Sequence, residues 1–219
     1  FNLETGLIDN KITVARKGRI ASRLVTKGLS AHAGANLDEG INAIQQMAHH
    51  ILDIQKLNQK YGQSTFSVGT VKGGTVSNAV PDYAEIEIDI RYEKVALKPL
   101  IVKDLERIAS VQHVHGATAQ VFFDNEFPPF EDTYNQKAFE FIRAQSLANG
   151  FGDVLPARLG GSSDASFISR AGIPCLCSMG VKGQWNHSDR EYAIADSALE
   201  RLILIVDSIL EAQKVDSFL

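Results

Sequence analysis

Between residues 84 and 92 apolar and charged side chains alternate without a break. Ala84, Ile86, Ile88, Ile90 and Tyr92 fall on one side, and Glu85, Glu87, Asp89 and Arg91 on the other. A period of two gives a strand one dry face and one wet face, whereas a helix at about 100° per residue would scatter the isoleucines around its circumference. Thr65 to Val71 reads as a strand before it, joined by a Gly-, Asn- and Pro-containing stretch too long for a two-residue hairpin. Upstream, Arg19 to Thr26 is strand-like, and Ile41, Ile44, Ala48, Ile51 and Leu52 follow helical spacing toward Leu57. Downstream, Ile101, Leu105 and Ile108 mark a helix and Thr118 to Phe123 a further strand. The order β-α-β-β-α-β from Gly18 to Phe127 is the split βαβ pattern of a ferredoxin-like sandwich. Pro128-Pro129 ends it, because neither proline can donate to a ladder.

The remaining residues predict an α/β layer, giving a mixed chain with segments 1–17, 18–127 and 128–219. A helix over Asn135 to Ala148 stops at Gly150, and a short strand lies near Val154. A helix from Ser163 to Arg170 stops at Gly172, and Ile173 to Cys177 reads as a short buried strand. In the last helix Ser197 and Glu200 fit a capping box, and Leu199, Leu202, Ile203, Val206 and Leu210 form one apolar stripe. With so few strands, this part reads as a fraction of a sheet. The first residue, Phe1, follows no initiator Met and no leader pattern, so the sequence reads as a processed chain or an excerpt from a longer one.

Composition narrows the function classes. The 219 residues carry a formal charge of −4 and are 44% hydrophobic, enough to bury a core and incompatible with intrinsic disorder. No Lys/Arg stripe offers a footprint for nucleic acid or anionic lipid, and no nucleic-acid or membrane partner is expected. The longest apolar stretch, Leu202 to Val206, falls far short of the roughly 20 residues that cross a bilayer. Cys175 and Cys177 would point the same way along a strand, about 7 Å apart, which argues against a bridge between them. Read as buried thiols, they lean toward a reducing compartment, which leaves the location undecided between a favoured cytoplasm and the periplasm.

Several polar residues have a chemical reading beside a structural one. His187 in NHSDREY and His32 in SAHAG are imidazoles in loops, His32 among residues small enough to admit another surface. His49, His50, His113 and His115 are given no role. Arg91 would form an ion pair on the wet face of its strand, and Asn78 would sit in a turn. Gly160 to Asp164 runs into a helix, where backbone N–H groups suit an anion and Ser162 or Ser163 suits a cap. The nucleophile elbow is excluded because Asp164 stands where its second glycine belongs.

Together and in this order, SAHAG, GGTVSNAVP, EIDIRY, GGSSDASFISRAGIP and NHSDREY resemble the dinuclear zinc hydrolases. That family comprises aminoacylases, acetylornithine deacetylases, succinyl-diaminopimelate desuccinylases and carboxypeptidases, and the sequence is most similar to glutamate carboxypeptidases. The resemblance implies a ferredoxin-like lid that forms a homodimer and is inserted in an α/β catalytic domain. It implies two zinc ions, for which cobalt can substitute, and a small N-acyl amino acid or peptide as substrate. By position, Glu4 in FNLETG and His187 match terminal zinc ligands. His32 matches the lid histidine that reaches the site of the other protomer and polarises the scissile carbonyl. Asn78 and Arg91 match lid residues that hold the substrate carboxylate, with Arg158, Gly161 and Ser162 in the stretch of the catalytic domain that contacts it. The family's H-x-D motif, bridging aspartate and paired glutamates lie upstream of the position of Glu4 and are not in this sequence. The expectation is therefore a lid plus the C-terminal part of a zinc amidohydrolase, inactive without the missing catalytic segment. The alternative is a non-catalytic module that dimerises or binds a small carboxylate.

Overall fold

The computed structural model describes residues 1–218 and places the alternating run on a single strand. In chain order the elements are β1 (Lys11–Arg16), β2 (Gly18–Lys27), α1 (Ala43–Lys56), β3 (Thr65–Gly73), β4 (Tyr83–Tyr92), α2 (Lys98–Ser110), β5 (Thr118–Phe127), α3 (Gln136–Ala148), β6 (Leu155–Leu159), α4 (Ala165–Arg170), β7 (Gly183–Gln184), β8 (Tyr192–Ala193) and α5 (Asp196–Ala212). They form two compact units: Phe1–Lys17 with the chain from Pro128 onward, and Gly18–Phe127.

The second unit is a four-stranded antiparallel sheet in the order β3-β4-β2-β5, with α1 and α2 on one face. This is the ferredoxin-like arrangement. β2 and β4 pair in unbroken register from Gly18 opposite Tyr92 to Lys27 opposite Tyr83, so the even-numbered residues of both strands share the covered face. There Ile20, Leu24, Ile86, Ile88 and Ile90 meet Met47 and Ile54 of α1 and Ile101, Leu105 and Ile108 of α2. Each such side chain contributes about 1.5–3 kcal/mol of burial. Asn42 caps α1 by accepting the Gln45 N–H at 2.9 Å. The buried face of α1 is Ala43, Gln46, Met47, His50 and Ile54, turned from the predicted one, and Ile44 and Leu52 are exposed. The turned face can bury Gln46 and His50 because Gln46 bonds the backbone of residues 111–114 and His50 Nε2.

The first unit holds a parallel pair, β1 with β6, and the small hairpin of β7 with β8. β1 was not read from the sequence. Its central residues Ile12, Thr13 and Val14 are all buried, without the alternation that marks a one-sided strand. The segment expected as a strand over 173–177 makes only a bridge, with Cys177 and Thr13 exchanging both backbone hydrogen bonds. Cys175 and Cys177 are buried and unbridged beside Phe130 and Ala165.

The final helix departs most from expectation. Ser197 does not cap it: Ala195 is the N-cap, and Ser197 Oγ accepts the Lys182 N–H and donates to the Ile194 carbonyl. Glu200 pairs with Lys182 at 2.8 Å instead of closing a capping box. Ser197, Arg201, Leu204 and Ser208 are buried, while Leu199 is 64% and Leu202 58% exposed. At about 100° per residue the two sets centre on opposite faces, so the apolar stripe points away from this unit's own core. Arg201 reaches Asn10 Oδ1 at 3.4 Å, and its Nε and Nη1 have no partner among the described residues. No helix is long and apolar enough to cross a membrane among the described residues.

Candidate functional site

Past the end of β2 the chain enters a loop closed at its root, where Leu29 and Ile41 exchange backbone hydrogen bonds. Gly28 permits this closure, since a Cβ there would lie 1.9 Å from the Ile41 carbonyl oxygen. At the tip, His32 pairs with Ala79, and the Ala33 N–H donates to the Asn78 carbonyl at 2.9 Å. The loop therefore brings His32 and Asn78 onto adjacent segments, both exposed.

The SAHAG spacing has a local consequence. His32 Nδ1 accepts the N–H groups of Gly34 and Ala35, each at 3.1 Å. Acceptance at Nδ1 leaves the ring proton on Nε2, so the exposed edge of the imidazole is a hydrogen-bond donor.

Arg91 stands at the other end of β4. Eight residues on from Tyr83 at about 3.3 Å each, it lies roughly 26 Å along the strand from the end where Asn78 and His32 sit. Its guanidinium grips Asp89 on its own strand, Nε to Oδ1 at 2.6 Å, and Arg19 from β2 holds the same carboxylate at 2.7 Å. These two cations keep the Asp89 carboxyl below its ordinary range despite its partial burial.

In the first unit, Glu4 lies beside and His187 within one strip of backbone, residues 177–187, which Gly161 reaches through Arg16. Residues 2–6 run beside it: Gly180 N–H donates to the Glu4 carbonyl at 2.9 Å, and Gly183 N–H to the Gly6 carbonyl at 3.0 Å. The approach requires glycine, since a Cβ on Gly180 would meet the Leu3 carbonyl oxygen at 2.5 Å. His187 lies in the loop between β7 and β8 with φ 65°, and its N–H donates to Glu191 Oε2 at 3.0 Å. Ser178 and Trp185 also have positive φ, which concentrates backbone strain in this strip. Gly161 and Ser162 are held by the end of β1 and the residue after it. Arg16 donates to the Gly161 carbonyl at 3.2 Å and to Ser178 Oγ at 3.1 Å, and Ser162 Oγ donates to the Lys17 carbonyl at 3.3 Å. Arg158 is apart from these contacts, on β6 and ion-paired with Asp132.

The helix that follows Gly160 to Asp164 is the six-residue α4, whose N-cap is Asp164 and not Ser162 or Ser163, although Ser163 Oγ accepts the Ala165 N–H at 3.2 Å from one residue further back. Arg16, Ser178 and Glu191 are positioning residues the sequence reading missed. Their signal was tertiary: Arg16 earns its place only through partners more than 140 residues away. Glu4 and His187 leave their carboxylate and imidazole without a side-chain hydrogen bond among the described residues, so their lone pairs are available to a metal. Two donors are less than a complete set, and no group of three potential metal-binding side chains occurs among the described residues.

A ferredoxin-like unit joined to an α/β layer, with an outward imidazole at the end of its sheet, defines the class: residues 14–117 match the peptidase dimerisation domain of the M20 group. Carboxypeptidase G2 from Pseudomonas sp. (strain RS-16) is 26% identical over 204 residues, covering 92% of this chain and 49% of the relative. The protein YqjE of Bacillus subtilis (strain 168) is 26% identical over 206 residues, 93% of this chain and 54% of that protein. In fold, the chain is similar to the aminopeptidase PepT of Bacillus cereus ATCC 10987, with a TM-score of 0.80 at 23% identity, over 94% of this chain and 54% of that one. Residues 14–117 are thus similar to the dimerisation domain of M20 peptidases, and the chain spans about half the length of the curated relatives it matches.

Proposed function

We propose that this chain supplies the lid and the C-terminal part of a zinc-dependent hydrolase that cleaves the amide bond of an N-acyl amino acid or small peptide as a homodimer. The observation that carries the reading is His32, whose Nδ1 is occupied by two backbone donors so that Nε2–H projects outward as a donor. Such a donor aimed at a developing oxyanion contributes a few kcal/mol to the transition state. Glu4 and His187 would provide one carboxylate and one imidazole to the metals, and the Gly161–Ser162 loop would face the substrate. Zinc, when bound, polarises a carbonyl and acidifies a bound water.

The 26 Å between Arg91 and the His32–Asn78 end sets the oligomeric logic. One copy cannot place all three on one small substrate, so a site using them takes His32 and Asn78 from one copy and Arg91 from its partner. Arg91, already oriented by Asp89, would then present its remaining N–H groups to the substrate carboxylate. The remaining polypeptide of the catalytic domain would cover the outward stripe of α5.

The test is the complete open reading frame containing Phe1–Leu219, loaded with zinc or cobalt and assayed against N-acylated amino acids and dipeptides. Chelator-sensitive hydrolysis is expected. Inactivity across the panel in a folded, metal-loaded protein would overturn this reading and leave the non-catalytic carboxylate-binding module, which binding without turnover would identify.

A further inference from the structure

The second unit contains a concentration of imidazoles that the proposed reaction does not use. His49 and His50 lie on α1, and His113 on the segment between α2 and β5. The rings of His49 and His113 stack at 4.6 Å, and His50 meets His113 edge-on at 5.7 Å. Gln46, 1% exposed, organises them. Its Oε1 accepts the N–H groups of His113 and Val114 at 2.9 and 2.8 Å, which fixes which end of the amide is oxygen. Its Nε2 then donates to the Val111 carbonyl at 2.7 Å and faces His50 Nε2 at 2.8 Å. A donor faces that ring nitrogen, so it must carry a lone pair. The His50 proton is therefore on Nδ1, which is buried with no partner among the described residues. A second ring proton would land on Nε2 and set two donors against each other.

We propose that Gln46 and His50 form an acid-released clamp fastening α1 to residues 111–114, opened by protonation of His50 Nε2. The surroundings give the imidazolium little support. Burial, then the neighbouring His113, push His50 down to about 4 against the opposing pull of Asp53, with His49 adding the smallest downward effect. The Asp53 carboxylate is already held by Lys56 at 2.7 Å and His113 Nε2 at 3.3 Å. From α2, Asp104 is engaged by Arg107 and by Lys60. The sheet face under α1 presents Leu24, Ile86 and Ile88, none of which titrates. The clamped segment also backs the His32 loop: a Cβ on Gly116 would sit 2.7 Å from Ile41 Cδ1, and Ile41 pairs with Leu29 at the loop's root.

The measurement is amide hydrogen exchange of His113 and Val114 in the full chain, corrected for the intrinsic pH dependence of exchange. With His50 near its ordinary 6.5 in the open form and about 4 in the closed one, protection should fall about 30-fold between pH 8 and pH 5. His50→Gln can accept from Gln46 without titrating and should hold its protection over that range. An equal loss in both proteins overturns the clamp. Should His50→Gln fail to fold, nitrogen-15 shifts of the imidazole in the unsubstituted chain decide. An Nε2 that stays unprotonated from pH 7 to pH 5 supports the clamp, and protonation there near pH 6.5 overturns it.

Discussion

In the second unit a four-stranded sheet turns one face to two helices, and every apolar residue β4 places on that face is buried; in the first, a two-stranded sheet carries α5 with its most apolar face outward. The difference lies in closure. Two helices suffice for one side of four strands, and β2 and β4, paired on both edges, leave only β3 and β5 as margins. Two strands do not make a self-sufficient layer. Leu199, Leu202, Ile203, Val206, Ile209 and Leu210 together form the kind of exposed apolar patch that marks an interaction surface. The closed unit buries its apolar face within itself, and the open one leaves an apolar face that the proposed function would cover with further polypeptide.

Hybrid dimers of the complete enzyme test the comparison most severely. His32→Ala and Arg91→Ala should each lower kcat/KM by about 100-fold or more. Mixing the two variants under conditions that exchange protomers should restore about a quarter of the wild-type activity, because half the dimers are hybrids with one intact site of two. Exchange without recovery would show that the residues do not act across two copies. Next in size are core truncations read by denaturant unfolding of this chain. Ile86→Ala in the second unit and Leu204→Ala in the first should each cost about 3 kcal/mol, within the usual 2–5 for such buried deletions. Leu202→Asp should change the stability of this chain by less than about 0.5 kcal/mol, yet should cost several times more in the complete protein. An equal effect in both settings would mean that nothing covers the stripe. The smallest effect belongs to exposed pairs such as Arg143 with Asp153, whose removal should leave the unfolding midpoint nearly unchanged, and more nearly so in high salt.

How far the fold could be read in advance differs between the units for the same physical reason. β4 was legible because each residue meets the same environment at every second step, and β2 and α2 follow locally from their own periodicity, whereas the periodicity of α1 marked a helix but not its buried face. β1 was missed because it is buried on both sides and shows no alternation. α5 was recognised as a helix, but its periodicity allows either face to be inward. The helix packs Leu204 with Ile12, Val14 and Ile142, and sends the leucines and isoleucines of its stripe out. Of the candidate site, the residue types and their order were visible as motifs. The tautomer of His32 and the contacts of Arg16 were not, since neither backbone bonds to a ring nitrogen nor partners 145 residues away leave a mark on composition.

The sequence by itself determined the ferredoxin-like order of elements and the chemical character of the loops, because hydrophobic periodicity and the conformational needs of glycine and proline act over a few residues. Only the tertiary structure decided that His32 and Asn78 share one end of the sheet while Arg91 takes the other, which face of α5 is inward, and which imidazole is buried. Those outcomes depend on which distant segments compete for the same surface, a free energy no local stretch contains.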